Sequence, residues 1–314
     1  MEGETIINIG GIAMEQVFLT GVEIKKVRHL KDISIPLDKE KRKHLILTGK
    51  NGSGKTSFLE SLVQFFLYIT SEGYYSKETV NNKYKEDAVK LDSLKKLKDS
   101  DEKFVKINET EKSLKLWKKD FEIWNNSVTA NVNSISFLQN KFKQGDFIFA
   151  YYKDTRKFQV EEYRNIEKIQ FRDKYSITDN PGTKLTKYLV DLKATQAFTK
   201  DNRKSEKIDK WFHKFEDILK MIFDDDALKL NFNDETFQFS ICESGRETFD
   251  FNTMSRGYAA VLDIINDLII RMEAKSGLRA EFDMEGIVLV DEIETHLHLE
   301  LQKKILPILT TLFP

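Results

Sequence analysis

Between Gln16 and Leu37 (QVFLTGVEIKKVRHLKDISIPL) apolar and polar residues alternate with partial period two in a β-branched stretch. The pattern predicts two strands joined by a turn around Val27 to Leu30. HLILTG, residues 44–49, is a short apolar run closed by glycine and reads as a buried strand. From Ser57 to Thr70 the apolar residues Phe58, Leu59, Leu62, Phe65, Phe66 and Ile69 recur at helical spacing, so the order is strand, glycine-rich turn, helix.

From residue 71 to about 145 the character changes. Lys, Glu, Asp and Asn dominate, and Leu114, Trp117, Phe121 and Trp124 recur at three- and four-residue steps, as in a helical insertion. A solvated helical face is the simpler account of its charges and a DNA-contacting arm the alternative. DFIFAYY (146–152) returns to strand composition, Thr183 to Phe223 reads as helical, and LKLNFNDETFQFSI (228–241) alternates like a hairpin turning near Asn233 and Asp234. A long helix over Tyr258 to Ala274, the strand GIVLVDE (286–292) and a helix over Leu297 to Leu312 with a bend at Pro307 complete the pattern.

Composition narrows the classes. The 314 residues suit two average domains, or one α/β domain with an insertion. With 50 Lys+Arg against 51 Asp+Glu, the net charge of -1 argues against a chain that is basic overall but leaves room for a local basic patch. The single cysteine, Cys242, can make no intramolecular disulfide, and no His/Cys spacing suits zinc, so a reducing, cytoplasmic setting is expected. The first residues lack a basic segment and an apolar stretch of the kind a secretion signal needs, and no apolar window is long enough to span a bilayer, so no membrane partner is expected.

Gly49-Lys50-Asn51-Gly52-Ser53-Gly54-Lys55-Thr56 satisfies G-x-x-x-x-G-K-[ST] in full. In such a loop glycines let successive N–H groups converge on phosphate oxygens, here from Asn51 through Ser57. The following helix adds its positive end, Lys55 reaches the β/γ-phosphates, and the Thr56 hydroxyl suits Mg²⁺. The motif marks a nucleoside triphosphate site, not a reaction. The apolar run Ile287 to Val290 delivers Asp291 and Glu292 at its end; alone this could be a solvated strand terminus, but beside a phosphate loop the carboxylates suit holding Mg²⁺ and polarising an attacking water.

The segment Asp291-Glu292-Ile293-Glu294-Thr295-His296-Leu297-His298-Leu299 resembles the D-E-P-E-x-H-L-H-P segment of the ABC-type ATPases grouped with SMC, RecF and OLD proteins, with Ile293 and Leu299 in place of the two prolines. Zinc binding by His296 and His298 is poorly served by an i, i+2 pair, which diverges by ~200° on a helix; the resemblance instead sets these residues beside a dimer interface. Met254-Ser255-Arg256-Gly257-Tyr258 resembles the family's L-S-x-G signature loop, in which Ser255 and Gly257 would contact the γ-phosphate held by a partner subunit. Val27-Arg28-His29-Leu30-Lys31-Asp32 is similar to the family's N-F-R-x-F-K-D stretch, which leaves two readings for Arg28: a position near the nucleotide, or a surface charge pair with Asp32. Tyr152 to Lys157 falls where relatives place the loop coupling their two lobes.

The resemblance implies an α/β P-loop NTPase of ABC type, with a mixed or parallel sheet core and an inserted helical subdomain. Residues 1–70 would form the N-terminal part of the ATPase lobe, 71–145 the helical insertion, and 146–314 the remainder. Lys55 and Glu292 would be catalytic, Glu292 as general base, and Thr56 and Asp291 would hold Mg²⁺. Two chains would sandwich two ATP molecules and gate action on DNA or on a nuclease or other effector, in DNA repair or antiphage defence. Relatives continue into a further core strand bearing a histidine, so a truncated chain with slow turnover is expected. The alternatives are a nucleotide-responsive scaffold and a transporter subunit, the latter disfavoured by the long gap between Lys55 and Ser255.

Overall fold

The computed structural model describes residues 16–155, 166–276, 284–295 and 297–313. β1 (Leu19–Val27) and β2 (Leu30–Pro36) form the expected antiparallel hairpin, with Arg28 and His29 as its turn, and β3 (Val128–Val132) pairs antiparallel with the other edge of β1. Between them come α1 (Lys55–Ile69) and a helical hairpin of α2 (Lys77–Lys95) and α3 (Asp101–Asn126). Ser76 and Ser100 cap those two helices by accepting the N–H of Thr79 and Lys103. The aromatic stripe on α3 holds the hairpin to its base: Phe121 stacks on Tyr84 at 4.2 Å, and the Trp124 indole N–H donates to the Tyr75 carbonyl at 3.2 Å.

α4 (Ile135–Gln144) leads into β4 (Ile148–Tyr152), and a 3₁₀ turn at Pro181–Lys184 into α5 (Leu185–Phe198) and α6 (Asn202–Phe223). Then follow the antiparallel strands β5 (Lys229–Asn233), β6 (Gln238–Cys242) and β7 (Phe249–Asp250), α7 (Arg256–Ser276), β8 (Gly286–Val290) and α8 (Leu299–Leu312), which runs through Pro307. β8 lies parallel to β4, in register from Ile148↔Gly286 to Tyr152↔Val290. Period-two alternation makes this pair a wall between two cores. Phe147, Phe149, Tyr151, Ile287 and Leu289 face a first core built with α1 and β1, whereas Ile148, Ala150, Tyr152 and Val290 face a second built from α5 to α8.

Two expectations change. Residues 44–49 join no ladder among the described residues: Ile46 is 63% exposed, and Leu45 and Leu47 are only partly buried against the first core. Apolar composition proposes a strand, but backbone pairing requires a neighbour, and among the described residues β8 pairs with β4 alone, leaving Val288 40% exposed. The stretch 71–145 is also not helical throughout, because β3 returns from α3 to complete the β2-β1-β3 sheet. The core is therefore one parallel pair and two antiparallel three-stranded sheets among the described residues.

α7 is buried over nearly its whole length yet carries Asp263, Asn266, Asp267, Arg271 and Glu273 inside. The Arg271 Nε–H donates to Asp267 at 2.7 Å, its Nη1 donates to the carbonyls of Phe149 and Ser176 at 3.1 Å each, and its Nη2 to that of Asp179. Asp267 also accepts the Tyr152 hydroxyl at 2.6 Å and the Gly182 N–H at 3.2 Å. A Cβ on Gly182 would lie 2.7 Å from the Asp267 nitrogen, so only glycine permits this approach. Burial pushes the Asp267 carboxyl up while Arg271 pulls it down, and the geometry of five donors and acceptors favours the ion pair. Glu273 accepts the Tyr188 hydroxyl at 2.7 Å and the Trp211 indole N–H at 3.0 Å.

Arg271→Met would strand a buried carboxylate and remove the donor to three carbonyls, so it should lower the unfolding free energy by about 3–5 kcal/mol. Breaking the exposed Lys83–Glu86 pair by Lys83→Ala should cost less than about 0.5 kcal/mol. Urea unfolding compares the two, and similar small losses would show that the pair does not fasten α7.

Candidate functional site

The glycine-rich loop folds as its composition requires. Gly49, Gly52 and Gly54 adopt φ of 155°, 80° and 96°, values that L side chains rarely tolerate. Gly54 is the N-cap of α1 and offers no side-chain cap, and the first turn holds no acidic residue, so its N–H groups remain suited to an anion. The Lys55 ammonium donates to the Gly49 carbonyl at 2.7 Å, bridging the loop, and the Ser53 N–H donates to the Lys50 carbonyl at 3.1 Å. Asn51, Gly52 and Thr56 are exposed, Ser53, Lys55 and Ser57 are half-buried, and a Cβ on Gly52 would meet nothing within 4 Å. Phosphate oxygens and a hydrated cation can therefore reach the loop, its lysine and the threonine hydroxyl.

The tip of the β1–β2 hairpin abuts this loop. A Cβ on Gly54 would lie 3.3 Å from Leu30 Cδ1 and 3.8 Å from His29 Cε1. Arg28, beside them, is exposed and adopts φ of 50°, and among the described residues no ion pair joins it to Asp32. The surface-pair reading is thus not realised, and Arg28 stands one residue from the phosphate loop's neighbours.

Asp291 follows β8 and is 1% exposed, with its N–H donating to the Tyr152 carbonyl at 2.8 Å. Two strand positions beyond Leu289, it falls on the face that looks toward α1. Glu292 would ordinarily point the opposite way, but its backbone switches to φ of 45°, a strained left-handed conformation for a non-glycine residue. Its half-buried carboxylate accepts the Thr295 hydroxyl at 3.1 Å. His298 caps α8 by accepting the Leu301 N–H at 3.4 Å, which gives it a structural task, and His296 lies outside the described residues. Among the described residues no group of His, Cys, Asp and Glu is placed to hold a metal without further ligands.

Ser255 and Gly257 sit between Met254 and Tyr258 of the second core, whereas the glycine-rich loop leads into the first. Exposed Ser255 precedes α7, its carbonyl accepting the Ala259 N–H at 3.0 Å, and Gly257 is buried in the first turn. Tyr258 anchors this end in the second core by stacking on Phe223 at 4.2 Å and meeting the His298 ring edge-on at 5.6 Å. Of the segment Tyr152 to Lys157, Arg156 and Lys157 lie outside the described residues.

Residues 45–312, most of the chain, match the family described as "AAA domain, putative AbiEii toxin, Type IV TA system". The chain belongs to this family. It is also similar to the Septu protein PtuA of Bacillus mycoides (strain KBAB4), with 24% identity over 305 residues; the match takes in 96% of this chain and spans 37% of that relative's length. The family's AAA domain is a P-loop ATPase domain, and the mixed α/β architecture agrees with it. No helix among the described residues of this AAA domain is long and apolar enough to cross a membrane.

Sequence reasoning passed over Tyr152, Asp267 and Arg271, the residues that tie the Asp291 strand end to α7. A signal existed: charged residues at i, i+4 inside an otherwise apolar helix are kept only when paired. Gly54→Ala forces an L residue into a left-handed N-cap against Leu30 and should cost about 1–2 kcal/mol. Thermal or urea unfolding of this variant against Gly52→Ala, where space is open, separates contact from backbone strain; a loss confined to neither would contradict the loop geometry.

Proposed function

We propose that this AAA domain binds ATP with Mg²⁺ and hydrolyses it as an ABC-type ATPase of the SMC, RecF and OLD kind, closing as a dimer around nucleotide to gate an effector. One observation carries the reading: an uncapped, glycine-led helix start and a buried carboxylate at the end of an apolar strand serve the same core, with the signature-like Ser255 and Gly257 mounted in the other. Asn51 to Ser57 would cradle the phosphates, Lys55 would face the β/γ-oxygens, and Thr56 and Asp291 would hold Mg²⁺, which neutralises phosphate charge. Glu292 would accept a proton from the water whose oxygen bonds to the γ-phosphorus as the bond to the bridging oxygen breaks. Ser255 and Gly257, exposed and buried at the start of α7, would meet the partner's γ-phosphate, and Arg28 at the hairpin tip would lie beside the loop.

The similarity to a Septu protein supports antiphage defence as the setting, where a nuclease or other effector would be the partner, and the single cysteine suits a reducing, cytoplasmic location. DNA is the partner favoured by charge. Lys25, Lys26, Arg28, Lys31, Lys39, Lys41, Arg42, Lys43 and Lys50 are exposed on the β1–β2 hairpin and along the segment that leads into the loop, where Asp32, Asp38 and Glu40 are fewer. Phosphate backbones suit such a face, and replacing Lys41, Arg42 and Lys43 with Ala should lower the salt slope of DNA binding by about 3.

Lys55→Ala should abolish ATP-dependent stabilisation, about 2.7 kcal/mol at one hundred times the dissociation constant. Glu292→Gln should slow single-turnover hydrolysis and accumulate a dimer on a sizing column with ATP and Mg²⁺, which Ser255→Arg returns to monomer. Undiminished ATP stabilisation of Lys55→Ala contradicts the nucleotide site. A monomeric Glu292→Gln protein contradicts the sandwich, and ATP binding without turnover would favour the nucleotide-responsive scaffold.

A further inference from the structure

β4 ends in two tyrosines that face opposite ways. The Tyr152 hydroxyl is satisfied in the second core by Asp267 at 2.6 Å. Tyr151 faces the first core with Phe147 and Phe149, on the side of the wall that also carries Ile287, Leu289 and, by alternation, Asp291. Tyr151 is 9% exposed, and its hydroxyl oxygen is fully buried with no hydrogen-bond partner among the described residues. A buried hydroxyl left unpaired costs about 1–3 kcal/mol, a cost that phenylalanine would avoid.

The charges that reach this hydroxyl point to its purpose. A phenol carries its proton at neutral pH, so the unpaired hydroxyl is a hydrogen-bond donor; burial, and then the nearby carboxylates Asp291, Glu60 and Asp154, push it further up. Glu60 lies one turn beyond Thr56 on α1, and Asp154 follows β4 by two residues. The unpaired donor is therefore set between the strand end that carries Asp291 and the helix that carries Thr56.

We infer that Tyr151 is a positioning residue: its hydroxyl donates to one Asp291 oxygen when Mg²⁺·ATP is bound, turning the other oxygen toward the cation. The inference rests on the reading of Asp291 as the residue that holds Mg²⁺. A ligating carboxylate gains orientation from such a hydrogen bond, and losing an outer partner of this kind typically weakens metal affinity about 10–100-fold.

The test follows binding of a fluorescent ATP analogue as Mg²⁺ is raised from none, for the parent chain, Tyr151→Phe and Asp291→Asn. Tyr151→Phe is expected to bind the analogue normally in EDTA, to unfold no earlier than the parent without nucleotide, and to need at least about tenfold more Mg²⁺ for half of the affinity gain. A tyrosine that served packing alone would alter stability and leave the Mg²⁺ midpoint in place, and that result overturns the inference. Asp291→Asn distinguishes the two layers: if it loses the Mg²⁺ response while Tyr151→Phe matches the parent, only the role of Tyr151 falls, and if Asp291→Asn keeps the parent's Mg²⁺ response, both readings fall.

Discussion

Five residues of β4 paired in parallel with five of β8 form the element on which the rest of the molecule depends. Because side chains alternate, one short pair supplies a face to each of two cores, so the helix that starts at the glycine-rich loop and the helix that starts at Ser255 pack on opposite sides of the same wall. Neither core could place its motif relative to the other without that wall. Parallel pairing also demands a long crossover, and here the crossover includes α5 to α7, which is how the chain carries Ser255 so far from Lys55 in sequence.

Tyr152 is the joint between the two halves. Its carbonyl accepts the Asp291 N–H at 2.8 Å, and its hydroxyl donates to Asp267 on α7 at 2.6 Å. Arg271 extends the joint by donating to carbonyls of β4 and of the segment before the 3₁₀ turn. Buried charges are a poor source of net stability, but they are costly to rearrange, and a network with every Arg271 nitrogen engaged permits few alternative packings. The Asp291 end of β8 and the helix behind Ser255 are thus parts of one stiff unit.

Much of this was legible from pattern. The hairpin before Leu37 and the helix after Thr56 follow from periodicity, because α1 and β1 each bury one face, whereas the strand of Ile148 to Tyr152, buried on both faces, shows only as an apolar run, and Thr183 to Phe223 reads as helical without its break between α5 and α6. HLILTG misled because apolar content reports burial potential, whereas a strand also needs a backbone partner. β3 escaped notice because VTANV is five residues long at the end of a 26-residue helix. At the site, the glycine spacing disclosed the loop, yet nothing in the text distinguishes Tyr151 from Tyr152. Their opposite environments arise from the register with β8, and the left-handed turn at Glu292 arises from the strand end, neither of which is a property of local sequence.

The central claim is that nucleotide binds at the loop before α1 and is felt at the Asp291 strand end and, across a dimer, at the start of α7. Hydrogen exchange of the backbone amides with Mg²⁺ and a non-hydrolysable ATP analogue tests it most directly. The account predicts slowed exchange at residues 51–57 and 291–295 at any protein concentration, and at residues 255–258 only where the dimer forms. Saturating analogue that leaves residues 51–57 exchanging as before, with protection elsewhere, would contradict it.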